Sequence, residues 1–182
     1  MTAEKQILTE AIDGLYAVFS IYLLAQEVEG CPCCVSGEDR AALHVRPLRE
    51  LTAKDLCRYA FKALTTWGSA DDFKHFLPRL LELAADPYDL SYDIDVEVLF
   101  GKLSYAKWRN WPREEQQAVA SYFSALWQWL LALPIEEWVL DDYLCAIGQA
   151  EDNLDALYPK IVAKINTEGS GDEGSGDEGT MS

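Results

Sequence analysis

Apolar side chains recur at three- and four-residue intervals along most of this 182-residue chain, and this spacing constrains its fold more than any other feature. In an α-helix, that interval places the apolar residues along one face, whereas a half-buried strand needs them at every second position. We find no convincing two-residue alternation in any segment. The spacing therefore predicts an all-α protein of seven to eight helices.

Polar residues indicate where several of these helices begin. Ser36 opens a short helix that ends before Pro47. Thr52 is an N-cap with Asp55 three positions later, an acidic version of the capping box, and Ser69 caps the following helix. The predicted helices, with approximate ends, are Ala3 to Val28, the short helix from Ser36, Thr52 to Trp67, Ser69 to Ala84 (kinked or split at Pro78), Asp93 to Trp108, Pro112 to Leu133, Ile135 to Ile147, and Leu154 to Ile165.

Acidic residues outnumber basic ones, 31 to 15, which gives a formal net charge of −16. This excess argues against a nucleic-acid or anionic-membrane surface, because both need fields of Lys and Arg. The acids continue into residues 167–182, where a Gly-Ser-Gly-Asp-Glu pentad occurs twice without apolar residues. We therefore expect a helical domain over residues 1–166 and a disordered acidic tail over residues 167–182.

The segment from Gln116 to Ile135 has no charged residue and approaches the ~20 residues that a membrane crossing needs. Its polar residues, however, recur at helical spacing and form a stripe along one side, which favours a buried helix of a soluble protein. No signal-peptide pattern opens the chain. Five cysteines, an odd number, do not suggest a secreted disulfide framework, so we expect a cytoplasmic location.

Three of the cysteines are crowded together as Cys31-Pro-Cys33-Cys34, and the C-x-x-C spacing of Cys31 and Cys34 lets two thiolates hold one metal ion or close a small disulfide. A structural zinc site needs four ligands. Adjacent Cys33 and Cys34 do not readily bind one ion together, so the predicted zinc ligands are Cys31, Cys34, His44 and Cys57. Thiol redox chemistry and a purely structural turn of small, half-buried residues remain open alternatives.

The predicted helix 112–133 carries dense aromatic and apolar residues on two faces. Such a helix is either central in the core or presents one face as a binding groove. Core packing is the favoured interpretation. If one face does bind a partner, Tyr122 and Trp129 are the residues that we expect to form the interaction surface.

Residues 52–86 combine a helix pair, an Asp-rich turn, a Leu-rich second helix and a closing Asp86-Pro87. This segment resembles a HEAT-type repeat, which implies a short HEAT-like α-solenoid as the alternative to a multi-helix bundle. The stretch from Arg58 to Leu83 resembles an uncharacterised family of bacterial hypothetical proteins. That resemblance implies a bacterial origin and no particular activity.

The sequence contains no coherent catalytic set: it lacks a Gly-rich phosphate loop, a serine nucleophile elbow and a histidine–glutamate metalloprotease motif. Together with the large apolar inventory, this favours a protein–protein interaction or adaptor module whose partner is another protein. The competing hypothesis is a zinc-binding or thiol-redox protein that uses the cysteine cluster. We expect no cofactor unless that cluster binds zinc.

Overall fold

The computed structural model describes residues 2–88 and 93–150, and within these ranges it confirms the all-α prediction. In the described residues, the only extended pairings are isolated bridges of Trp67 with Gly30 and with Ala63. The predicted last helix around Leu154 to Ile165 and the acidic tail lie outside the described residues. The helices are α1 (Ala3–Phe19), α2 (Gly37–Ala42), α3 (Ala53–Lys62), α4 (Ala70–Leu83), α5 (Val96–Tyr105), α6 (Arg113–Ala132) and α7 (Glu137–Ala150), with short 3-10 helices at Leu48–Glu50 and Trp108–Asn110.

The capping residues begin their helices as the sequence predicts. At Thr52, the side-chain oxygen accepts the backbone N–H of Asp55, while the Asp55 carboxylate accepts the backbone N–H of Thr52 at 2.8 Å. Ser36 and Ser69 make the same reciprocal pair of bonds with the aspartates three positions later. These bonds satisfy N–H groups that have no partner inside the helix, so the starts of α2, α3 and α4 are fixed locally.

Two helices are shorter in the structure than the sequence predicts. Helix α1 ends at Phe19 instead of Val28, and the chain that follows runs beside residues 66–68. Helix α3 ends at Lys62 instead of Trp67, since the backbone N–H groups of residues 65–67 all turn back to the Lys62 carbonyl. Such convergence closes a turn and prevents further helical hydrogen bonding.

Two smaller predictions concern single residues. Asp95, not Asp93, is the N-cap of α5, and its carboxylate accepts the Val98 backbone N–H at 3.0 Å. Pro78 lies inside α4, which continues past it as one helix, so the predicted split does not occur.

The helices assemble into a multi-helix bundle whose largest contacts join elements distant in sequence. Helix α1 packs mainly on α6 and also on α4, while α5 packs mainly on α7. Consecutive α3 and α4 contact each other, as the predicted helix pair requires. The centre is apolar and fully buried, with side chains that include Leu8, Leu15, Phe73, Leu77, Leu99, Trp108, Val119 and Leu126.

None of the helices in residues 2–88 and 93–150 combines the length and the apolar character that a membrane crossing would require. This finding agrees with the interpretation of the uncharged Gln116 to Ile135 segment as a packed helix.

Candidate thiol and metal site

The cysteine cluster lies on a segment held beside the loop that joins α3 to α4. The backbone N–H of Cys31 donates to the Thr66 carbonyl at 2.8 Å, and the N–H of Gly68 donates to the Glu29 carbonyl at 2.7 Å. These two bonds flank Gly30. A Cβ atom at Gly30 would lie 2.9 Å from a methyl carbon of Val35, so the absence of a side chain permits this close approach.

The cysteines themselves occupy a tight turn. The backbone N–H groups of Cys34 and Val35 both donate to the Cys31 carbonyl at 2.9 Å. Val35 is buried and anchors the end of the turn in the core. On its outer side, the Lys62 ammonium donates to the Cys34 carbonyl. The turn is therefore fixed by backbone bonds, one buried side chain and one cationic contact.

Lys62 is itself positioned by a charged neighbour. Its ammonium lies 3.9 Å from the carboxylate of Asp39, which also pairs with Arg58 at 2.6 Å. Bonds from the Ser36 backbone and from Arg58 outweigh burial and lower the pKa of Asp39, so this carboxylate stays ionised. Helices α2 and α3 thus hold the cation that fixes the cysteine turn.

The turn brings three sulfur atoms together. The sulfurs of Cys31 and Cys33 are 2.9 Å apart, those of Cys33 and Cys34 are 3.6 Å apart, and all three lie within 4.8 Å of one another. Cys33 is exposed, whereas Cys31 and Cys34 are half-buried. The tight turn therefore brings adjacent Cys33 and Cys34 into one sulfur group, although the sequence analysis did not expect them to bind one ion together.

His44 and Cys57 are not part of this group. The sulfur of Cys57 instead donates to the Lys54 carbonyl within α3 at 3.3 Å, and His44 is exposed beyond the end of α2. The structure therefore does not group Cys31, Cys34, His44 and Cys57 together, and this four-ligand set stays a prediction. Helix α2 ends at Ala42, so His44 lies beyond the helix.

The shared sulfur contacts separate the acidities of two thiols. Hydrogen bonding from the Cys33 thiol, assisted by its backbone N–H, lowers the pKa of Cys31. The same contact, together with Cys34, raises the pKa of Cys33 to about 11. Cys31 is therefore the member of the pair that ionises first, and thiolate is the form of cysteine that attacks electrophiles and binds metals.

Three thiols at these distances fit a thiophilic metal ion. In a tetrahedral zinc site with Zn–S bonds of about 2.3 Å, the sulfurs lie about 3.8 Å apart. The sulfur of Cys33 would need to move by only about 1 Å from Cys31 to reach that spacing, which small side-chain rotations achieve.

Cys31 also lines an open groove with a volume of about 720 Å³, between residues 25–31 and 65–72. Three carboxylate residues line this groove, namely Glu27, Glu29 and Asp72. Thr65 and Thr66 add polar surface, and no Lys or Arg is found among the described lining residues. We call this the acidic groove. Neither Cys33 nor Cys34 lines it.

The structure separates the two residues of the predicted interaction surface. Tyr122 is fully buried, and its hydroxyl donates to the Leu81 carbonyl at 2.7 Å, so it cannot contact a partner at the surface. Helix α6 packs mainly on α1, and the Tyr122 bond to Leu81 also joins it to α4, so α6 is covered on more than one side. Trp129 is half-buried, with the Lys5 ammonium 4.8 Å from its ring centroid, and its role in binding stays a prediction.

A buried charged cluster is present that the sequence analysis missed. Lys74 of α4 and Glu115 of α6 form an ion pair of 2.7 Å with nearly complete burial. The Tyr22 hydroxyl donates to Glu115 at 2.5 Å and accepts from Lys74 at 2.9 Å. In the sequence, the position of Lys74 among the apolar residues of α4 was the one indication of a buried charge. No spacing rule connects it to Tyr22 or Glu115.

Comparison of the chain with protein-family models, with the curated proteins and with the solved structures finds no match, so the geometry described above is what indicates its function.

Proposed function

We propose that this protein binds a thiophilic metal ion, with zinc as the first candidate, through Cys31, Cys33 and Cys34. The observation that carries the proposal is the convergence of three sulfur atoms within 4.8 Å on one turn. Thiolate ligands select zinc and copper(I) over hard cations such as Mg²⁺ or Ca²⁺. The reduced thiols that the site needs agree with the cytoplasmic location expected from the sequence.

Three protein ligands leave the fourth position of a tetrahedral ion for water or an external thiolate. Such an open position is characteristic of zinc sites whose metal reacts or is exchanged, whereas purely structural sites are closed by four protein ligands. The exposure of Cys33 gives an external ligand access to the ion. The site therefore suits binding and exchange of metal more than stabilisation of a fold.

Metal binding is tested on reduced, untagged protein by titration with Co²⁺ and Zn²⁺. We expect one equivalent of Co²⁺ to produce a thiolate-to-metal charge-transfer band, which Zn²⁺ then removes. The binding free energy of a four-ligand zinc site is ~10–16 kcal/mol, which corresponds to ~3 kcal/mol for each thiolate. Loss of one thiolate in Cys33→Ser should therefore weaken binding about a hundredfold. Cys57→Ser and His44→Ala are the matched controls and should bind like the wild type.

Two results would contradict the proposal. One is the absence of a charge-transfer band in folded, fully reduced protein. The other is a loss of binding in Cys57→Ser equal to that in Cys33→Ser, since it would restore the four-ligand set that the structure separates.

As a second candidate function, we propose the protein–protein interaction module expected from the sequence. Its binding surface would lie at α7 and not at Tyr122. A cavity of about 250 Å³ has apolar walls that include Val96 and Val139. Trp138, which is 49% exposed, stands at its edge. Its described lining contains no Lys or Arg, but it includes Asp86, Asp95, Glu97 and Asp142. Charge complementarity favours a partner segment that combines apolar residues with Lys or Arg.

This candidate is tested with an acetylated, amidated Leu-Lys-Leu-Lys peptide, followed by NMR of the Trp138 indole N–H. The peptide should shift that resonance in the wild type and in a Glu38→Gln control. The shift should be smaller in Asp142→Asn, whose substitution removes one of the four carboxylates of the lining. An equal response to a Leu-Glu-Leu-Glu peptide would reject the charge-based partner.

A further inference from the structure

We propose that Cys31 and Cys33 of the metal-free protein form a dithiol that reduces cationic disulfides bound in the acidic groove. This activity goes beyond metal binding and does not depend on it. The proposal reassigns the reactive pair, because the C-x-x-C spacing in the sequence points to Cys31 and Cys34.

The roles of the two thiols follow from their positions. Thiol–disulfide exchange requires a thiolate to reach one sulfur of the substrate disulfide. Cys31 lines the acidic groove, so it is the cysteine of the cluster that a substrate in the groove would meet first. The sulfur of Cys33 lies 2.9 Å from that of Cys31 and does not line the groove. It is therefore placed to resolve a mixed disulfide on Cys31.

The reaction balances without a further reagent. The Cys31 thiolate attacks one substrate sulfur, the substrate S–S bond breaks, and the first substrate thiolate leaves with a mixed disulfide on Cys31. The Cys33 thiolate then attacks the Cys31 sulfur and expels the second substrate thiolate. The protein dithiol is oxidised to a Cys31–Cys33 disulfide, the substrate disulfide is reduced, and the two dithiol protons end on the two released thiols.

The groove selects substrate by charge. Glu27 and Glu29 are exposed carboxylates on one side, and Asp72 is a half-buried carboxylate on the other. Arg40 lies 3.9 Å from Glu27, and the Lys102 ammonium donates to the Thr65 hydroxyl at 3.5 Å, but the described lining itself contains three carboxylates and no Lys or Arg. A positively charged disulfide is therefore attracted, whereas an anionic one such as oxidised glutathione is repelled.

Metal binding and disulfide formation exclude each other, because sulfurs joined in a disulfide are no longer thiolate ligands. The two activities also require different sets of cysteines. The metal proposal uses all three cysteines, but the exchange reaction needs only Cys31 and Cys33. Cys34→Ser therefore separates the two, since it should weaken metal binding while the Cys31–Cys33 disulfide can still form.

The test is a single-turnover reaction of chelator-treated, reduced protein at low ionic strength. The substrates are cystamine, a dication, hydroxyethyl disulfide, which is neutral, and oxidised glutathione, an anion. We expect oxidation to be fastest with cystamine, at least about tenfold faster than with oxidised glutathione, and the difference to shrink in high salt. Mass spectrometry of proteolytic fragments should locate the new disulfide at Cys31–Cys33.

Single-residue variants show which cysteine carries out each step of the exchange reaction. Cys33→Ser should accumulate the mixed disulfide on Cys31, Cys31→Ser should abolish the fast reaction, Cys34→Ser should still form the Cys31–Cys33 disulfide, and Cys145→Ser should react like the wild type. Glu29→Gln should reduce the preference for cystamine over oxidised glutathione.

A disulfide between Cys31 and Cys34, or a loss of reaction in Cys34→Ser, would overturn the assigned pair. Equal rates with all three substrates would overturn the role of the groove. A protein that binds no metal but gives the expected disulfide would reject the proposed function and support this inference.

Discussion

The ammonium nitrogen of Lys74 lies 2.7 Å from a carboxylate oxygen of Glu115, and the two side chains are only 9% and 3% exposed. The Lys74 ammonium also lies 4.5 Å from the centroid of the Trp111 ring and 4.8 Å from that of Tyr22. These contacts join α4 to the start of α6 and to the segment after α1. Because an unpaired buried charge is costly, the three regions must assemble together.

Removal of one partner of this ion pair should strongly destabilise the fold. Lys74→Met leaves the Glu115 carboxylate buried without its cation, so we expect a loss of about 3–5 kcal/mol in the free energy of unfolding. The double variant Lys74→Met/Glu115→Leu should recover most of that loss, because no buried charge remains. Denaturant unfolding of the single and double variants gives the coupling energy.

The control for that measurement is an exposed ion pair. Arg49 and Asp13 are 2.8 Å apart, but more than half of each side chain is exposed. Asp13→Asn should therefore cost less than about 1 kcal/mol. If Asp13→Asn and Lys74→Met destabilised the protein equally, burial would not be the reason for the effect.

Stability should decrease at alkaline pH. Burial alone lowers the pKa of Lys74, but hydrogen bonds to Glu115 and Tyr22 and the charge of Glu115 outweigh it, and the pKa is raised above 10.5. Burial, followed by the bond to Glu115, raises the pKa of Tyr22 above 10.0. Groups with raised folded-state pKa values stabilise the fold fully below their unfolded pKa values and lose this contribution as pH rises through the folded values.

Buried Tyr59 and Tyr122 act in the same direction, because desolvation raises their pKa values well above 10.0. The free energy of unfolding, measured by denaturant titration between about pH 8 and about pH 11, should therefore fall steadily above about pH 10. A free energy of unfolding that stays constant over this range would contradict the described environments of these groups.

A side chain at Gly30 should damage the cysteine turn. The added Cβ atom would lie 2.9 Å from Val35 and 3.1 Å from Trp67, and both side chains are buried and constrained. We expect Gly30→Ala to cost about 1–3 kcal/mol and to weaken metal binding, since the collision displaces the turn that carries the sulfurs. Thermal unfolding and Co²⁺ titration measure the two effects.

Gly14 provides the matched control. It lies inside α1, where a Cβ atom would meet nothing within 4 Å. Gly14→Ala should raise stability by about 0.5–1 kcal/mol, because alanine has the higher helix propensity. A neutral or stabilising Gly30→Ala would show that the turn is looser than described.

The thiols of the cluster should react with iodoacetamide in a defined order as pH rises. Cys31 should be alkylated at a pH below that of an ordinary thiol, since its bond with Cys33 lowers its pKa. Cys33 should reach half of its maximal rate only near pH 11. Peptide mapping after timed alkylation separates the sites, with exposed Cys145 as an internal reference.

Substitution of Cys33 identifies the cause of that order. The hydrogen bond with the Cys33 thiol is the largest contribution to the lowered pKa of Cys31. In Cys33→Ser a weaker contact replaces it, so the alkylation profile of Cys31 should move toward higher pH. An unchanged profile for Cys31 would mean that the sulfur contact does not control its acidity.

Much of the secondary structure could be predicted because its determinants are local. The caps at Ser36, Thr52 and Ser69 act on backbone groups two or three residues away, and the structure confirms all three. The end of α1 at Phe19 could not be predicted in this way. The apolar spacing continues to Val28. That residue is buried, but it lies in a loop and not in a helix, and the residues after it form backbone hydrogen bonds with residues 66–68.

The candidate site, too, could be predicted only where its determinants are local. The sequence identified the Cys31–Cys34 segment, since crowded cysteines are visible in any sequence. It did not identify Cys33 as a member of the sulfur group, because the direction of a side chain depends on the backbone bonds of the turn. It also assigned His44 and Cys57 by sequence proximity, which does not determine where the ends of α2 and α3 place their side chains.

The sequence alone therefore determined the helical class, the starts of α2, α3 and α4, and the cysteine segment, since these depend on residue type and on spacing within a few positions. The tertiary structure decided that Tyr122 is buried, that Lys74 pairs with Glu115 across α4 and α6, and that Cys31 lines a groove together with residues 65–69 and Asp72. Each of these relationships joins residues far apart in the chain, and burial and long-range packing exist only after the helices have assembled.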